Sequence, residues 1–198
     1  VTSIGQEVFT GANYIQEVVW SNQLTTIPEK TFYTSFNNTT LVSVTNIDNV
    51  KTIGASAFEN RRNLNITLPA GLEWLSGNRT FFLNGAKSTA AIINIPAGAN
   101  FQITEGKLNE TFRAVGNLTS FPIPGNVTEI GANTFLNTGL IDVKVPEGVT
   151  TLGAYAFANI ASLRKIELPS TLSRIFDYVF YNNKVLEEII VNNPDPDV

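Results

Sequence analysis

Apolar and polar residues alternate in short segments that recur along the chain and often end at proline. The clearest example is residues 163–169, in which Ile166 and Leu168 flank a single glutamate and Pro169 follows. Alternation with a period of two is typical of a strand with one buried face, and proline ends such a strand because it cannot donate a ladder hydrogen bond. The pattern therefore predicts short strands whose second face is exposed to solvent.

A second phrase, Ile/Leu-Gly-x-x-Ala/Thr-Phe, lies between these strands. It is cleanest in residues 50–58, 127–135 and 149–157. Glycine permits a backbone turn with positive φ, and the short mixed stretch before Phe is consistent with one helical or 3₁₀ turn. Each unit is therefore predicted to run from strand to turn to short helix and back.

The two phrases recur together as eight units, which begin near residues 1, 24, 50, 72, 99, 127, 149 and 172. Their spacing of about 22 to 28 residues is that of one coil of a solenoid. The repeats predict a single α/β solenoid over residues 1–191, with about eight coils and a parallel sheet opposite the short turns. Residues 192–198, rich in Pro and Asp, are expected to form a linker or tail.

Two side-chain columns should line up when the coils stack. The aromatic column is expected to pack in the core, where neighbouring rings stabilise each other. It consists of Phe9, Phe32, Phe58, Phe81 or Phe82, Phe112, Phe135, Phe157 and Phe180. An asparagine two residues later is expected to satisfy backbone groups in the turns. This second column consists of Asn60, Asn137, Asn159 and Asn182, with Asn84 as a further member if Phe82 belongs to the aromatic column.

The polar strand positions should form an exposed sheet face with two different halves. In the C-terminal half the columns alternate in sign, as in Asp142, Lys165 and Glu188, which is typical of a solvated ladder. The N-terminal half is uncharged, so it can dock a protein or a glycan without desolvating charge. Its candidate binding residues are Ser43, Thr45, Asn65, Thr67 and Asn94.

The irregular middle units offer a second candidate surface. Residues 72–116 contain Trp74, Phe81 and Phe82 together with the longest insertions. Insertions in a solenoid are usually extruded on one face, and exposed aromatics there are expected to anchor an interface. The alternative is that Phe81 or Phe82 fills the aromatic column and the other rings cover a distorted core.

Composition narrows the chemistry. The chain has no His and no Cys, which excludes imidazole general bases, thiol nucleophiles and thiolate metal sites. The formal net charge of −4 argues against nucleic acid as a partner. No apolar run is long enough to span a membrane, so no membrane insertion is expected. No motif indicates a cofactor or a metal ion.

The repeats resemble those of the BspA-like leucine-rich repeat family, over essentially the whole chain. Residues 163–180 nearly reproduce the family phrase, with Phe176 in place of its Gly and Val179 in place of its Ala. The resemblance implies a right-handed leucine-rich repeat coil with the parallel sheet on the concave side. It also implies an extracellular or cell-surface location, adhesive binding and no catalytic residues. The chain departs from the family at its Cys, three residues after Phe, where it has Arg61, Thr138, Ile160 and Asn183.

Three functions remain open at this point. The first is a binding module that recognises a protein or glycan on a host or neighbouring cell. The second is a structural spacer. The third is a polysaccharide-active parallel β-helix, for which Asp142, Glu188 and Lys165 are the available groups, although they alternate in sign rather than forming an acidic cluster. End-to-end contacts through the terminal coils are also expected, because solenoid ends need caps.

Overall fold

The computed structural model describes residues 1–35 and 40–192, which wind into a solenoid of stacked coils. The solenoid has about seven turns, close to the eight predicted, and the repeat-solenoid fold is confirmed. Each regular coil supplies one strand to each of two parallel ladders and then a turn that carries a phenylalanine. Apart from Asn192, the predicted tail at 192–198 lies outside the described residues.

The first ladder is built from strands of three or four residues, whose successive side chains point to alternate sides of the ladder. Its strands are β1 (Glu17–Val19), β3 (Ser43–Thr45), β5 (Asn65–Thr67), β7 (Ile92–Asn94), β11 (Asp142–Lys144), β13 (Lys165–Leu168) and β15 (Glu188–Val191). The second ladder is built from two-residue strands. They are β2 (Thr26–Ile27), β4 (Thr52–Ile53), β6 (Trp74–Leu75), β8 (Gln102–Ile103), β9 (Lys107–Leu108), β10 (Glu129–Ile130), β12 (Thr151–Leu152) and β14 (Arg174–Ile175).

The register of the first ladder is the one that the sequence columns predict. Glu17 lies opposite Ser43, and Asp142 lies opposite Lys165. The middle residue of each three-residue strand from β3 to β11 is buried, and its neighbours on either side are wholly or partly exposed. A one-residue slip would move every apolar side chain to the solvent side, so the alternation fixes the register.

The aromatic column is a continuous stack of eight rings. Successive centroids lie between 5.2 and 6.2 Å apart, with planes inclined by no more than 18°. Phe81, rather than Phe82, occupies the fourth position. The backbone follows the rings, because each Phe amide from Phe9 to Phe157 donates to a carbonyl just before the next ring, as in Phe58 N–H to Thr80 O at 2.9 Å. We call this row of bonds the turn ladder.

The turns differ from the prediction of short helices. Within the described residues the one helical element is a 3₁₀ segment, η1 (Thr104–Gly106), and the turns beside the phenylalanines are not helical. Most of these turns contain two residues with positive φ. In the third coil they are Ser56 and Asn60, and in the seventh they are Tyr155 and Asn159. Positive φ interrupts a right-handed helix, and Asn tolerates it better than most residues, which accounts for the asparagine column.

The repeated glycine has a different role from the one expected. Gly54, Gly131 and Gly153 do not adopt positive φ. A Cβ on Gly54 would lie 2.5 Å from the amide nitrogen of Glu29, and a Cβ on Gly153 would lie 2.5 Å from that of Ala132. Real Cβ atoms do not approach backbone this closely, so glycine is required here because neighbouring coils touch.

Both ladders change in the fifth coil. The phrase at residues 121–124 predicts a strand, and this prediction is wrong, because the first ladder stops at β7 and resumes at β11. Pro122 stands where the strand needs an amide donor. The second ladder shifts within the same coil: β8 pairs with β6, η1 follows, and β9 pairs with β10. The Asn126 side chain covers the unpaired edge of β8 by forming hydrogen bonds with both the N–H and the C=O of Ile103, at 3.0 and 2.7 Å.

Candidate functional site

The exposed side of β3, β5 and β7 carries no charged residue, and we call it the neutral face. It brings together all five candidates from this half, namely Ser43, Thr45, Asn65, Thr67 and Asn94. The Asn94 amide donates to Asn65 Oδ1 at 3.4 Å and to Thr67 Oγ1 at 3.3 Å. These hydroxyls and amides are exposed and weakly bonded to one another, so an incoming polar ligand can replace their water without separating an ion pair.

The exposed side of β11, β13 and β15 is a network of opposite charges. Lys165 Nζ lies 3.3 Å from a Glu188 oxygen and 3.6 Å from a Glu167 oxygen, and Lys144 lies 3.8 Å from Glu167. The hydrogen bond to Glu188 raises the pKa of Lys165. Of the groups considered for catalysis, Lys165 and Glu188 are thus paired with each other, in the alternation that the sequence predicts.

Trp74 lies on a different surface from the neutral face. It belongs to β6 of the second ladder, where its backbone neighbours are Thr52 and Gln102. Its side of the strand is open, and 42% of the residue is exposed. Trp74 is therefore accessible, but the structure does not bring it together with Asn65 and Thr67.

The expectation that Phe81 and Phe82 are exposed anchors is wrong, because only 2% and 3% of these residues are accessible. Phe81 is held between Phe58 and Phe112 in the aromatic stack. Phe82 lies under two guanidinium groups, with Arg79 4.0 Å and Arg113 5.1 Å from its ring centroid. Burial of both rings is more favourable in free energy than their exposure to solvent.

Arg79 also organises a charged cluster that sequence reasoning missed. Its guanidinium lies 2.9 Å from the buried Glu59 carboxylate and 3.5 Å from Glu110. Burial raises the pKa of Glu59, against the opposing effects of a Ser56 hydrogen bond and the Arg79 charge. The three residues come from three successive coils, so no local motif reveals them. The one sequence signal for this cluster is the repeat spacing, which places Glu59 and Glu110 on one side of the turns.

A pocket of about 370 Å³ lies where the first ladder is interrupted. Its polar lining comes from Asn94 at the end of β7 and from Asn117, Thr119 and Ser120 of the fifth coil. None of the described residues that line it is charged. The pocket adjoins the neutral face through Asn94, and sequence reasoning missed it because the fifth coil was expected to supply a strand.

Comparison with known proteins identifies the repeat. The family described as BspA type leucine-rich repeat region matches in six copies, over residues 1–78, 33–96 and 108–195. This chain belongs to that family. No curated protein sequence matches it.

A solved leucine-rich repeat protein shares the fold. A leucine-rich repeat protein from Bacteroides ovatus aligns over 98% of this chain, with a TM-score of 0.53 and 18% identity. The chain spans 59% of that protein, or about three fifths of its length. The pneumococcal vaccine antigen PcpA aligns over 89% of this chain and 58% of its own, with 16% identity and a TM-score of 0.36. A cell surface protein from Faecalibacterium prausnitzii aligns over 97% and 83%, with 18% identity and a TM-score of 0.29.

One BspA-type repeat carries a buried arginine where the family has Cys. Arg61 is 2% exposed, and its Nε donates to the carbonyl oxygen of Phe32 in the preceding coil. Burial lowers the pKa of Arg61 to about 10, which leaves the group charged at neutral pH. Its Nη1 has no hydrogen-bond partner among the residues that the structure describes. Arg61 therefore links two coils at the cost of a buried charge.

The last BspA-type coil leaves its core column uncovered. Ile175 is 51% exposed, whereas Ile130 and Leu152, at the same position of the two preceding coils, are fully buried. Phe176 and Ile189 are also exposed in this coil. The expectation of end-to-end contacts stays a prediction.

In residues 1–35 and 40–192, no helix has the length and apolar character needed to cross a membrane. The same ranges contain no group of three or more Asp or Glu side chains placed to hold a metal ion.

Proposed function

We propose that this protein is a non-catalytic binding module of an extracellular or cell-surface protein, and that it adheres to a protein or glycan through the neutral face. The observation that carries the proposal is the uncharged stretch of the first ladder from β3 to β7, in which Asn65, Thr67 and Asn94 lie side by side. A ligand that covers this face desolvates hydroxyls and amides, which costs far less than desolvating ions.

Two observations support the non-catalytic part of the proposal. The chain lacks His and Cys, which are the commonest general base and the strongest natural nucleophile. The carboxylates nearest to a lysine on the first ladder, Glu167 and Glu188, are engaged in ion pairs on an open surface rather than in a cleft. Membership of the BspA-type family supports the surface location, because the resemblance implies proteins displayed outside the cell.

The test is an array of extracellular-matrix proteins and mucin-type glycans, probed with the purified chain and two matched variants. Thr67→Asp places a carboxylate on the neutral face, whereas Thr52→Asp places one beside Trp74 on the second ladder. We expect Thr67→Asp to weaken any hit by about tenfold or more, since an unpaired carboxylate in an interface costs more than about 1.4 kcal/mol. Thr52→Asp is expected to bind as the parent chain does.

Two outcomes would contradict the proposal. Loss of binding in Thr52→Asp alone would move the site to the surface around Trp74. A folded chain that binds nothing on the array would instead favour the spacer function, for which the continuous aromatic stack supplies rigidity. Hits that persist at high salt would agree with an uncharged site, because screening weakens only charged contacts.

A further inference from the structure

The interruption of the first ladder leaves backbone groups of β7 without the partners that a ladder normally supplies. Ile92 and Asn94 bond back to β5, through Ile92 N–H to Leu64 O at 2.8 Å and Leu68 N–H to Asn94 O at 2.9 Å. In a parallel ladder the backbone N–H and C=O of the residue between them point to the opposite edge of the strand. The N–H and C=O of Ile93 therefore face the fifth coil, where no backbone group among the described residues bonds to them.

Pro122 removes one of the two bonds that would close this gap at Ile93. Continuing the register of β5 and β7 by one coil places residue 122 opposite Asn94, where its amide would donate to the Ile93 carbonyl. Proline has no amide hydrogen, so that bond cannot form. The ladder stays open, and the pocket of about 370 Å³ lies along the open edge.

The pocket combines the features that an uncharged sugar ring requires. The Thr119 and Ser120 hydroxyls and the Ile93 N–H can donate, and the side-chain oxygens of Asn94 and Asn117 can accept together with the Ile93 C=O. The side-chain nitrogens of the two asparagines already donate to neighbours, that of Asn94 to Asn65 and Thr67 and that of Asn117 to the Thr89 carbonyl. Ile95 and Pro122 supply apolar walls for the C–H faces of a ring. The uncharged lining disfavours an anionic or cationic ligand, because an ion would lose its water without gaining a counter-ion.

We propose that this pocket binds a neutral saccharide residue, held by the free edge of β7 together with Asn94 and Asn117. The inference rests on the proposed function, since it names a glycan as the ligand and extends the neutral face into a pocket. The unpaired backbone groups are the second observation that points to a ligand, because buried polar backbone nearly always has a partner.

The experiment is a titration followed by amide chemical shifts of the labelled chain. The probes are N-acetyllactosamine, mannotriose and chitotriose, with sialyllactose as a charged comparison, each raised to about 10 mM to detect millimolar binding. We expect at least one neutral probe to shift amides in residues 93–95 and 117–120. The shifts are expected to be unchanged by salt, because no ion pair contributes.

Two substitutions make the test specific. Pro122→Thr restores the missing donor, and the closed ladder is expected to weaken the neutral probe by about tenfold, as the loss of one or two hydrogen bonds predicts. Pro146→Thr is the control, because it makes the same substitution at a proline of the sixth coil that does not line the pocket, and it is expected to bind normally. Asn94→Ala tests the side chain, and we expect it to weaken the neutral probe by about tenfold as well. This test does not depend on whether the new amide in Pro122→Thr closes the ladder.

The proposal would be overturned if no neutral probe shifts these amides. Hydrogen exchange will show whether the new amide at position 122 is protected, that is, whether the ladder has closed. If it is protected and both Asn94→Ala and Pro122→Thr still bind as the parent does, the proposal is also overturned. Stronger binding of sialyllactose alone would contradict it as well. These results are separable from the proposed function, because array binding to a protein that Thr67→Asp abolishes would stand even if every saccharide titration were blank.

Discussion

The two halves of the first ladder share one backbone arrangement and carry opposite surfaces. From β3 to β7 the exposed positions are hydroxyls, amides and Ile92, whereas from β11 to β15 they are chiefly lysines and carboxylates in contact with each other. The buried positions of both halves are the same apolar type. The comparison teaches that packing sets the coil, while the outward residues are free to vary and decide what each half can bind.

The largest expected effect tests whether the core shares the asymmetry of the surface. Phe58→Ala in the N-terminal half and Phe135→Ala in the C-terminal half each remove a fully buried ring from the stack. We expect each to lower the free energy of unfolding by about 3–5 kcal/mol, measured by urea denaturation. Phe176→Ala, at an exposed ring outside the stack, is the control and should cost about 1 kcal/mol or less. A loss confined to one half would show that the core is also divided.

The next effect tests the contact between coils in each half. Gly54→Ala and Gly153→Ala each force a Cβ to within 2.5 Å of backbone in the adjacent coil. We expect a loss of about 1–3 kcal/mol from either substitution, by the same measurement. Gly125→Ala is the matched control, because no atom outside its chain neighbours lies within 4 Å of the added Cβ. Unchanged stability in Gly54→Ala or Gly153→Ala would refute the role assigned to these glycines.

A smaller effect distinguishes the buried charge of the N-terminal half from the exposed charges of the C-terminal half. Burial raises the pKa of Glu59 above its ordinary value of 4.5, so the folded state takes up a proton at a higher pH than the unfolded state. Stability from this group therefore rises as pH falls from 7 towards that ordinary value, and does not rise further below it. We expect the melting temperature of the parent chain to rise relative to that of Glu59→Gln as the pH is lowered from 7 to about 5. A constant difference between the two would contradict the raised pKa.

The smallest effect concerns the charged half itself. Lys165→Gln removes contacts at 3.3 and 3.6 Å to Glu188 and Glu167, all of which are partly exposed to solvent. Exposed pairs of this kind contribute about 0–1 kcal/mol, and about 1 M salt should erase the difference from the parent. Thr45→Ala on the neutral face is the control, with no salt-dependent change expected. A loss in Lys165→Gln that persists at high salt would mean that these pairs matter more than their exposure allows.

The regular part of the fold was predictable because its signals repeat. Phe58, Phe135 and Phe157 mark the stack at matching positions of their units, and the alternation around Ile66 or Ile166 fixes the register. Each position is supported by several copies of the same pattern, so one degenerate unit does not hide it. The neutral face followed from the register alone, since Asn65, Thr67 and Asn94 become neighbours once the strands are aligned.

The irregular features were not predictable, for separate physical reasons. Residues 121–124 keep the apolar alternation, yet Pro122 removes an amide that the ladder would use. The glycine was assigned to a turn because sequence shows its conformational freedom but not the coil that lies against it. Phe81 and Phe82 are adjacent and identical, so only the stack shows which ring lies within it. The Glu59–Arg79 contact joins residues from different coils and has no repeated signature.

The fifth coil has a mechanical consequence. On the turn side, amide–carbonyl bonds continue through it, from Phe81 N–H to Thr111 O and from Phe112 N–H to Thr134 O, both at 3.0 Å. On the opposite side the first ladder is open, and no strand of the described residues pairs with β7 on the side towards β11. A molecule pulled at its two ends is therefore stiff along one side and compliant along the other. It will flex at this coil, about the turn ladder as the hinge, and widen the pocket beside Asn94 as the tension grows.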